Sequence, residues 1–280
     1  SPMLSGDWKT RNYWEPAVKD LYLSRSNVFV SGGSLFVATQ RHCVSTNEEV
    51  LNDTTFSENA CPDGKITKYS TGTAYTKGIV NGSEPFKVEL RVRINTNGVK
   101  GTSPALWMKN GISYCINEKY TTYGELDILE WYSDDPKSGY STSHYTCKQN
   151  EAGKCSTKAF NHRSRNDKFA NNWHKWSVEY DGENVRYLLN DELINVYRMK
   201  DAHQKYIYTK NYGPTQNLSD INLNKSYFQN VVMGRQWHIL ISDNVKIDSG
   251  FNTEKSNKEP FPLQTVEVDY VRVYKQFKKT

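Results

Sequence analysis

The chain has 280 residues, of which 36% are hydrophobic and 24% charged, so it can bury a sizeable core. Its net charge is +5, yet apart from the loop at 162–165 and the tail at 275–279 the basic residues are scattered among acids rather than gathered along one face, which argues against a nucleic-acid binder. No apolar run reaches the roughly 20 residues of a membrane-spanning helix, and no apolar leader segment precedes Ser1-Pro2-Met3, so the chain reads as cytosolic or as the mature form of an exported protein.

Short strand-like runs between turn signals take the place of helical periodicity. Residues 27–31 and 34–39, separated by Gly32-Gly33, read as a hairpin. A further strand begins at 78–81, residues 86–95 alternate strongly, and 104–108 follow. Next comes an acid-bearing run at 125–130, and then a strand around 141–145. Residues 173–180, 185–189 and 193–198 form a meander with turns at Asp181-Gly182 and Asn190-Asp191. Residues 238–241 and 266–274 complete the set, the last expected to pair back near the first. The stretches 44–73, 147–172 and 200–230 read as long loops. No linker or repeat divides the chain, which predicts one all-β domain over 1–280, a sandwich or jelly roll.

Aromatic residues make up 13% of the chain, which suits stacking on sugar rings and equally suits a β-rich core. The cysteines are Cys43, Cys61, Cys115, Cys147 and Cys155, with no Cys-x-x-Cys pair, so a structural zinc site is not expected. Their odd number leaves at least one without an intrachain partner, and Cys43 with Cys61 and Cys147 with Cys155 are candidate bridges. Asn52, Asn81, Asn217 and Asn224 each begin a glycosylation-type triplet.

The run Glu125-Leu126-Asp127-Ile128-Leu129-Glu130 carries the chemistry. Side chains alternate along a strand, so Glu125 and Asp127 share a face and strict alternation turns Glu130 away. A β-bulge between Asp127 and Glu130 restores the third acid to the same face. Acids on the solvent side of a half-buried strand are common, and that structural reading stands beside the catalytic one. Two carboxyl groups at a separation of roughly 5 Å are what retaining glycoside hydrolysis requires.

The segment Gly124 to Glu130 resembles the bulged active-site signature of glycoside hydrolase family 16. Residues 87–93, 103–108 and 261–274 resemble other strands of that family, in the same order. The resemblance implies a β-jelly-roll (concanavalin-like) sandwich with a glycan cleft on its concave sheet, in a secreted or cell-surface, monomeric enzyme that binds a polysaccharide and needs no redox cofactor. It implies Glu125 as nucleophile, Glu130 as acid/base and Asp127 as the residue that tunes Glu125. Three crowded acids cannot all ionise easily, and the acid/base must hold a proton while the nucleophile is ionised. Trp107, His144 and Asn81 match cleft positions and become expected substrate contacts. Asp269 matches a position that binds a structural calcium ion on the convex side. Trp131, of opposite parity to Glu130, is assigned to the core and Trp237 to core or cleft, while Arg91 matches a family position and also reads as a strand-face ion pair. Ser103 replaces a tryptophan of many laminarinases, residues 239–244 replace a glycine-rich strand, and residues 110–123 form an insertion. These departures leave β-galactans, sulfated ones included, beside β-glucans as substrates. The activity expected is endo-hydrolysis of internal β-1,3 or β-1,4 bonds, with a non-cleaving lectin-like module and a transglycosylase as the alternatives.

Overall fold

The computed structural model describes residues 8–10, 13–14, 21–46, 51, 53–96, 101–110, 123–131, 133, 140–149, 155–164, 170–198, 233–245 and 258–275; for 13–14, 123, 140–149, 155–164 and 197–198 the description is of the backbone. The strands, in chain order, are β1 (Trp8–Thr10), β2 (Tyr13–Trp14), β3 (Leu21–Leu23), β4 (Val28–Ser31), β5 (Ser34–Val44), β6 (Ile66–Thr71), β7 (Thr73–Thr76), β8 (Val80–Asn81) and β9 (Phe86–Asn95). They continue with β10 (Ala105–Lys109), β11 (Tyr123–Trp131), β12 (Tyr140–Gln149), β13 (Cys155–Ser164), β14 (Trp173–Tyr180), β15 (Asn184–Leu189), β16 (Glu192–Arg198), β17 (Gln236–Ser242) and β18 (Gln264–Lys275).

Alternation in β9 shows how the sequence builds the sandwich. Phe86, Val88, Leu90, Val92 and Ile94 are all buried in one core cluster, and burial of each such side chain stabilises by about 1.5–3 kcal/mol. The intervening residues face outward and pair by charge. Arg93 binds Glu267 and Arg91 binds Asp269, each at 2.5 Å. The Trp173 ring takes the Arg91 and Arg93 guanidinium carbons at 4.8 and 4.9 Å from its centroid.

Among the described residues the strands form two sheets. One runs β1-β7-β17-β10-β11-β12-β13, with β8 added to β17. The other runs β16-β15-β14-β9-β18-β5-β6-β3-β2, with β4 added to β5. Leu106, Met108, Leu126, Ile239 and Ile241 of the first sheet share a core with Val88, Leu90, Trp176, Val178 and Val266 of the second. This is the jelly-roll sandwich expected from the strand pattern. No helix among the described residues is long and apolar enough to cross a membrane.

Local chemistry sets the turns. Gly32 and Gly33 both take positive φ, 57° and 85°, which a two-residue hairpin needs to match strand twist, and β4 pairs with β5 across them. Asn190 and Asp191 join β15 to β16 in the same way, at φ 52° and 70°. The Asp181 carboxylate accepts the Glu183 and Asn184 backbone N–H groups at 2.9 and 2.7 Å, closing the β14–β15 turn. The last strand, β18, pairs with β5 and β9, joining the start of the chain to its end. Cys43 and Cys61 form a disulfide. For Cys147 the backbone register puts Thr157, not Cys155, directly opposite.

Two expected loops need correction. The 44–73 stretch contains β6, and 147–172 contains β13, which pairs with β12 along its whole length. Strand β6 escapes a hydrophobicity reading because its buried residues include Lys68, Ser70 and Thr71. Hydrogen bonds replace apolar packing there: Ser70 Oγ lies 2.7 Å from His42 Nε2, and the Thr39 and Thr71 hydroxyls are 2.8 Å apart. The segment 200–230 and most of the 110–123 insertion lie outside the described residues.

Candidate active site

The bulge expected in the acidic strand is present. Across β10 and β11, Ala105 pairs with Glu130, Leu106 with Leu129, and Trp107 with Asp127, so Ile128 has no opposite residue. The same irregularity recurs against β12, where Asp127 faces Ser143 and Glu130 faces Ser141. Ile128 and Leu129 are consequently both fully buried, and Trp131 joins them in the core. One inserted residue buries two consecutive apolar side chains and returns Glu130 to the side of Glu125 and Asp127. The opposite strand agrees: Leu106 and Met108 are in the core, while Ala105, Trp107 and Lys109 stand against the three acids.

Glycine decides where this strand starts. A Cβ on Gly124 would lie 2.8 Å from Asn110 Nδ2 and 3.0 Å from Trp237 Cη2. The Gly124 N–H donates to Asn110 Oδ1 at 2.8 Å, and the Asn110 N–H returns a bond to the Gly124 carbonyl at 3.1 Å. Trp237 is fully buried, its indole N–H donating to the Met233 carbonyl at 3.1 Å. This tryptophan is thus a core residue that backs the first residue of the acidic motif.

The acids are set in a partly dry surface. Asp127 is 3% exposed, and Glu125 and Glu130 are half-buried. Burial, then the neighbouring Glu130 charge, push the Glu125 carboxyl up to about 7, while Lys109 pulls it down. Sequence reasoning expected Glu130 to hold the raised value. Burial outweighs the other influences at Glu125, so the raised value appears there. Where two acids interact this closely, the proton retained near neutral pH belongs to the pair. In the core, the Tyr187 hydroxyl is held well above the usual tyrosine range by burial and then by the Asp127 and Glu125 charges.

Trp107 stands between Asp127 and Leu240 in the ladder, half-buried, and its indole N–H donates to Ser242 Oγ at 3.0 Å. Its ring is therefore fixed on the acid-bearing face. Asn81 pairs with Gln236 at the far end of β17, and its Oδ1 accepts the Ser83 N–H at 3.1 Å within a turn. The structure does not bring it into the acid row. His144 is opposite Leu126 in the β11–β12 ladder, not opposite an acid, and its side chain is outside the described residues. Lys109, Gly124 and Ser242 were not selected from sequence. The signal for Lys109 was available: it follows Trp107 by two residues and so shares its face.

Asp269 is on the outer face of the second sheet, paired to Arg91 as the sequence reading of Arg91 anticipated. No group of three or more His, Cys, Asp or Glu side chains suited to a metal occurs among the described residues. A calcium ion wants six to eight oxygen ligands, whereas this carboxylate has a guanidinium against it.

Comparison with known proteins agrees with the geometry. The chain is 23% identical over 217 residues to the β-glucanase of Rhodothermus marinus, covering 74% of this chain and 63% of that protein. It is also 23% identical over 279 residues to glucan endo-1,3-beta-glucosidase A1 of Niallia circulans, covering 98% of this chain and 34% of that one. The chain thus spans less than two thirds of the length of either curated relative. The laminarinase catalytic domain of Thermotoga maritima shares the fold, with a TM-score of 0.61, 18% identity, and coverage of 99% and 95% of the two chains. The model for glycosyl hydrolases family 16 matches residues 44–226, which include the acidic strand, its bulge and its β10 neighbour, and the chain belongs to that family.

Proposed function

We propose that the chain is a retaining endo-β-glycanase that cuts internal β-1,3 or β-1,4 bonds of a β-glucan. The observation that carries this reading is the bulge, which gathers Glu125, Asp127 and Glu130 on one face opposite Trp107. A surface strand has no need of an inserted residue that turns a third acid toward two others. The glucanase names of the two curated relatives favour a glucan.

In the first step the Glu125 carboxylate attacks the anomeric carbon while Glu130 gives its proton to the glycosidic oxygen. The C–O bond to the leaving sugar breaks, and a glycosyl ester forms on Glu125. In the second, the Glu130 carboxylate takes a proton from water, whose oxygen attacks the same carbon. The ester bond breaks, releasing the sugar with its configuration retained and restoring Glu125 as carboxylate. Asp127, buried between the two, stands beside Glu125, where a carboxylate favours the oxocarbenium-like carbon during attack. Trp107 offers its ring to a sugar face next to the acids. A pair holding one proton between two carboxyls starts with the stoichiometry this cycle requires.

The test is incubation with laminarin, mixed-linkage glucan, agarose, porphyran, carrageenan and keratan-type glycans, followed by measurement of new reducing ends. Release of oligosaccharides from a glucan by the wild type, abolished by Glu125→Gln, is expected. Binding without cleavage across the panel points instead to a lectin-like module. Products longer than the starting chains, formed when acceptor oligosaccharide is added, point to a transglycosylase.

A further inference from the structure

Lys109 lies outside the acidic motif, yet the ladder sets it directly opposite Glu125 on the acid-bearing face. Directly opposed residues of antiparallel strands hold their Cβ atoms about 5 Å apart. The side chain is half-buried rather than extended into solvent. Its Nζ lies 5.6 Å from the centroid of the Trp107 ring, and Trp107 is itself pinned to Ser242 and opposite Asp127. The ammonium is thus held by packing against the Trp107 ring on the strand face that carries the acids.

Resting on the reading of Glu125 as nucleophile, we propose that Lys109 is a positioning residue whose ammonium is the counter-charge that keeps Glu125 ionised for attack. The groups facing Glu125 make this assignment specific. On its own strand, Asp127 and Glu130 add negative charge. On β10, Lys109 adds the opposing positive charge. On β17, His238 pairs with Lys109 one strand further away, with its Nδ1 2.9 Å from the Thr76 carbonyl oxygen. On β12, Tyr145 occupies the register position opposite Glu125. From the second sheet, Tyr187 keeps its hydroxyl proton. Among these described groups the permanent cation is Lys109. Burial and Glu130 both favour the protonated Glu125 carboxyl, which cannot attack, and Lys109 opposes them.

The experiment compares the pH dependence of kcat/KM for wild type, Lys109→Met and Lys109→Arg on laminarin, or on the panel glycan that the wild type cleaves. Loss of an opposite charge beside a carboxylate raises its pKa by about one unit or more, so Lys109→Met is expected to lose activity about tenfold on the acid limb and to converge toward wild type at higher pH. Lys109→Arg keeps the charge and is expected to follow the wild-type profile. A purely structural lysine predicts a loss that is equal at every pH and is not rescued by arginine. Lys109→Gln replaces the methionine variant if circular dichroism shows the latter unfolded. An unshifted acid limb in a folded, uncharged variant, beside an inactive Glu125→Gln, overturns the Lys109 assignment alone. Wild-type turnover by Glu125→Gln overturns the nucleophile reading and this inference with it.

Discussion

Replacing Glu125 by glutamine is expected to abolish activity and to make the folded protein more stable at alkaline pH. Glutamine keeps the shape of the side chain and removes its charge. Burial and Glu130 raise the carboxyl from an ordinary 4.5 to about 7 in the folded protein. A raised acid contributes stability that is fully present below the unfolded value. That contribution is lost as pH climbs through the folded one, because the unfolded chain releases its proton first. At about 1.4 kcal/mol per pH unit, the wild type gives up about 3 kcal/mol between pH 4.5 and pH 7 from this group. The variant has no such proton to lose, and titrating groups other than the coupled Glu130 largely cancel in the difference. Urea denaturation of both proteins near pH 4.5 and near pH 8.5 reads the effect. Glu125→Gln should gain about 3 kcal/mol on the wild type between the two conditions. A stability difference that stays constant across that range, or one that narrows at alkaline pH, refutes the claim that this carboxylate is held charged against its surroundings.

Gly124→Ala is expected to cost about 1–3 kcal/mol, because its Cβ meets Asn110 and the fully buried Trp237 at 3.0 Å or less. It should lower kcat as well by shifting Glu125; unchanged melting and turnover would argue that β11 enters the sheet more loosely than described. Trp107→Ala is expected to raise KM for polysaccharide about tenfold while Trp107→Phe stays near wild type. A fall in stability with KM unaltered would make the ring a packing residue. The disulfide joins Cys43 and Cys61 across a sequence separation of 18. Replacing both by serine should cost about 3 kcal/mol in urea denaturation, and an unchanged midpoint would show the bridge contributes nothing to the closed loop.

Parity made the acid site legible before any coordinate. Two acids two residues apart and a third displaced by three cannot share one strand face without an extra residue, and the β11 ladder contains it at Ile128. The same rule put Trp131 in the core, marked β9 as half-buried, and identified the Gly32-Gly33 hairpin from the φ values those glycines permit. These are local properties, fixed by the geometry of a few consecutive residues. Strand β6 was not legible because its polar residues are satisfied by partners distant in sequence, such as Asn27 and His42, and so carry no hydrophobic alternation.

What the tertiary structure decided is which strands become neighbours. Nothing within residues 125–130 indicates that β10 lies against them, yet that pairing supplies the Lys109 charge and the Trp107 ring. Trp237 could have faced core or glycan, and its place beneath Gly124 follows from the β17–β10–β11 order. The raised Glu125 carboxyl is likewise a tertiary outcome, since burial is a property of everything packed around a group. The sequence by itself determined the side of the strand on which the acids stand; the pairing of distant strands decided the charges and rings that surround them, because those contacts close only when the whole sandwich does.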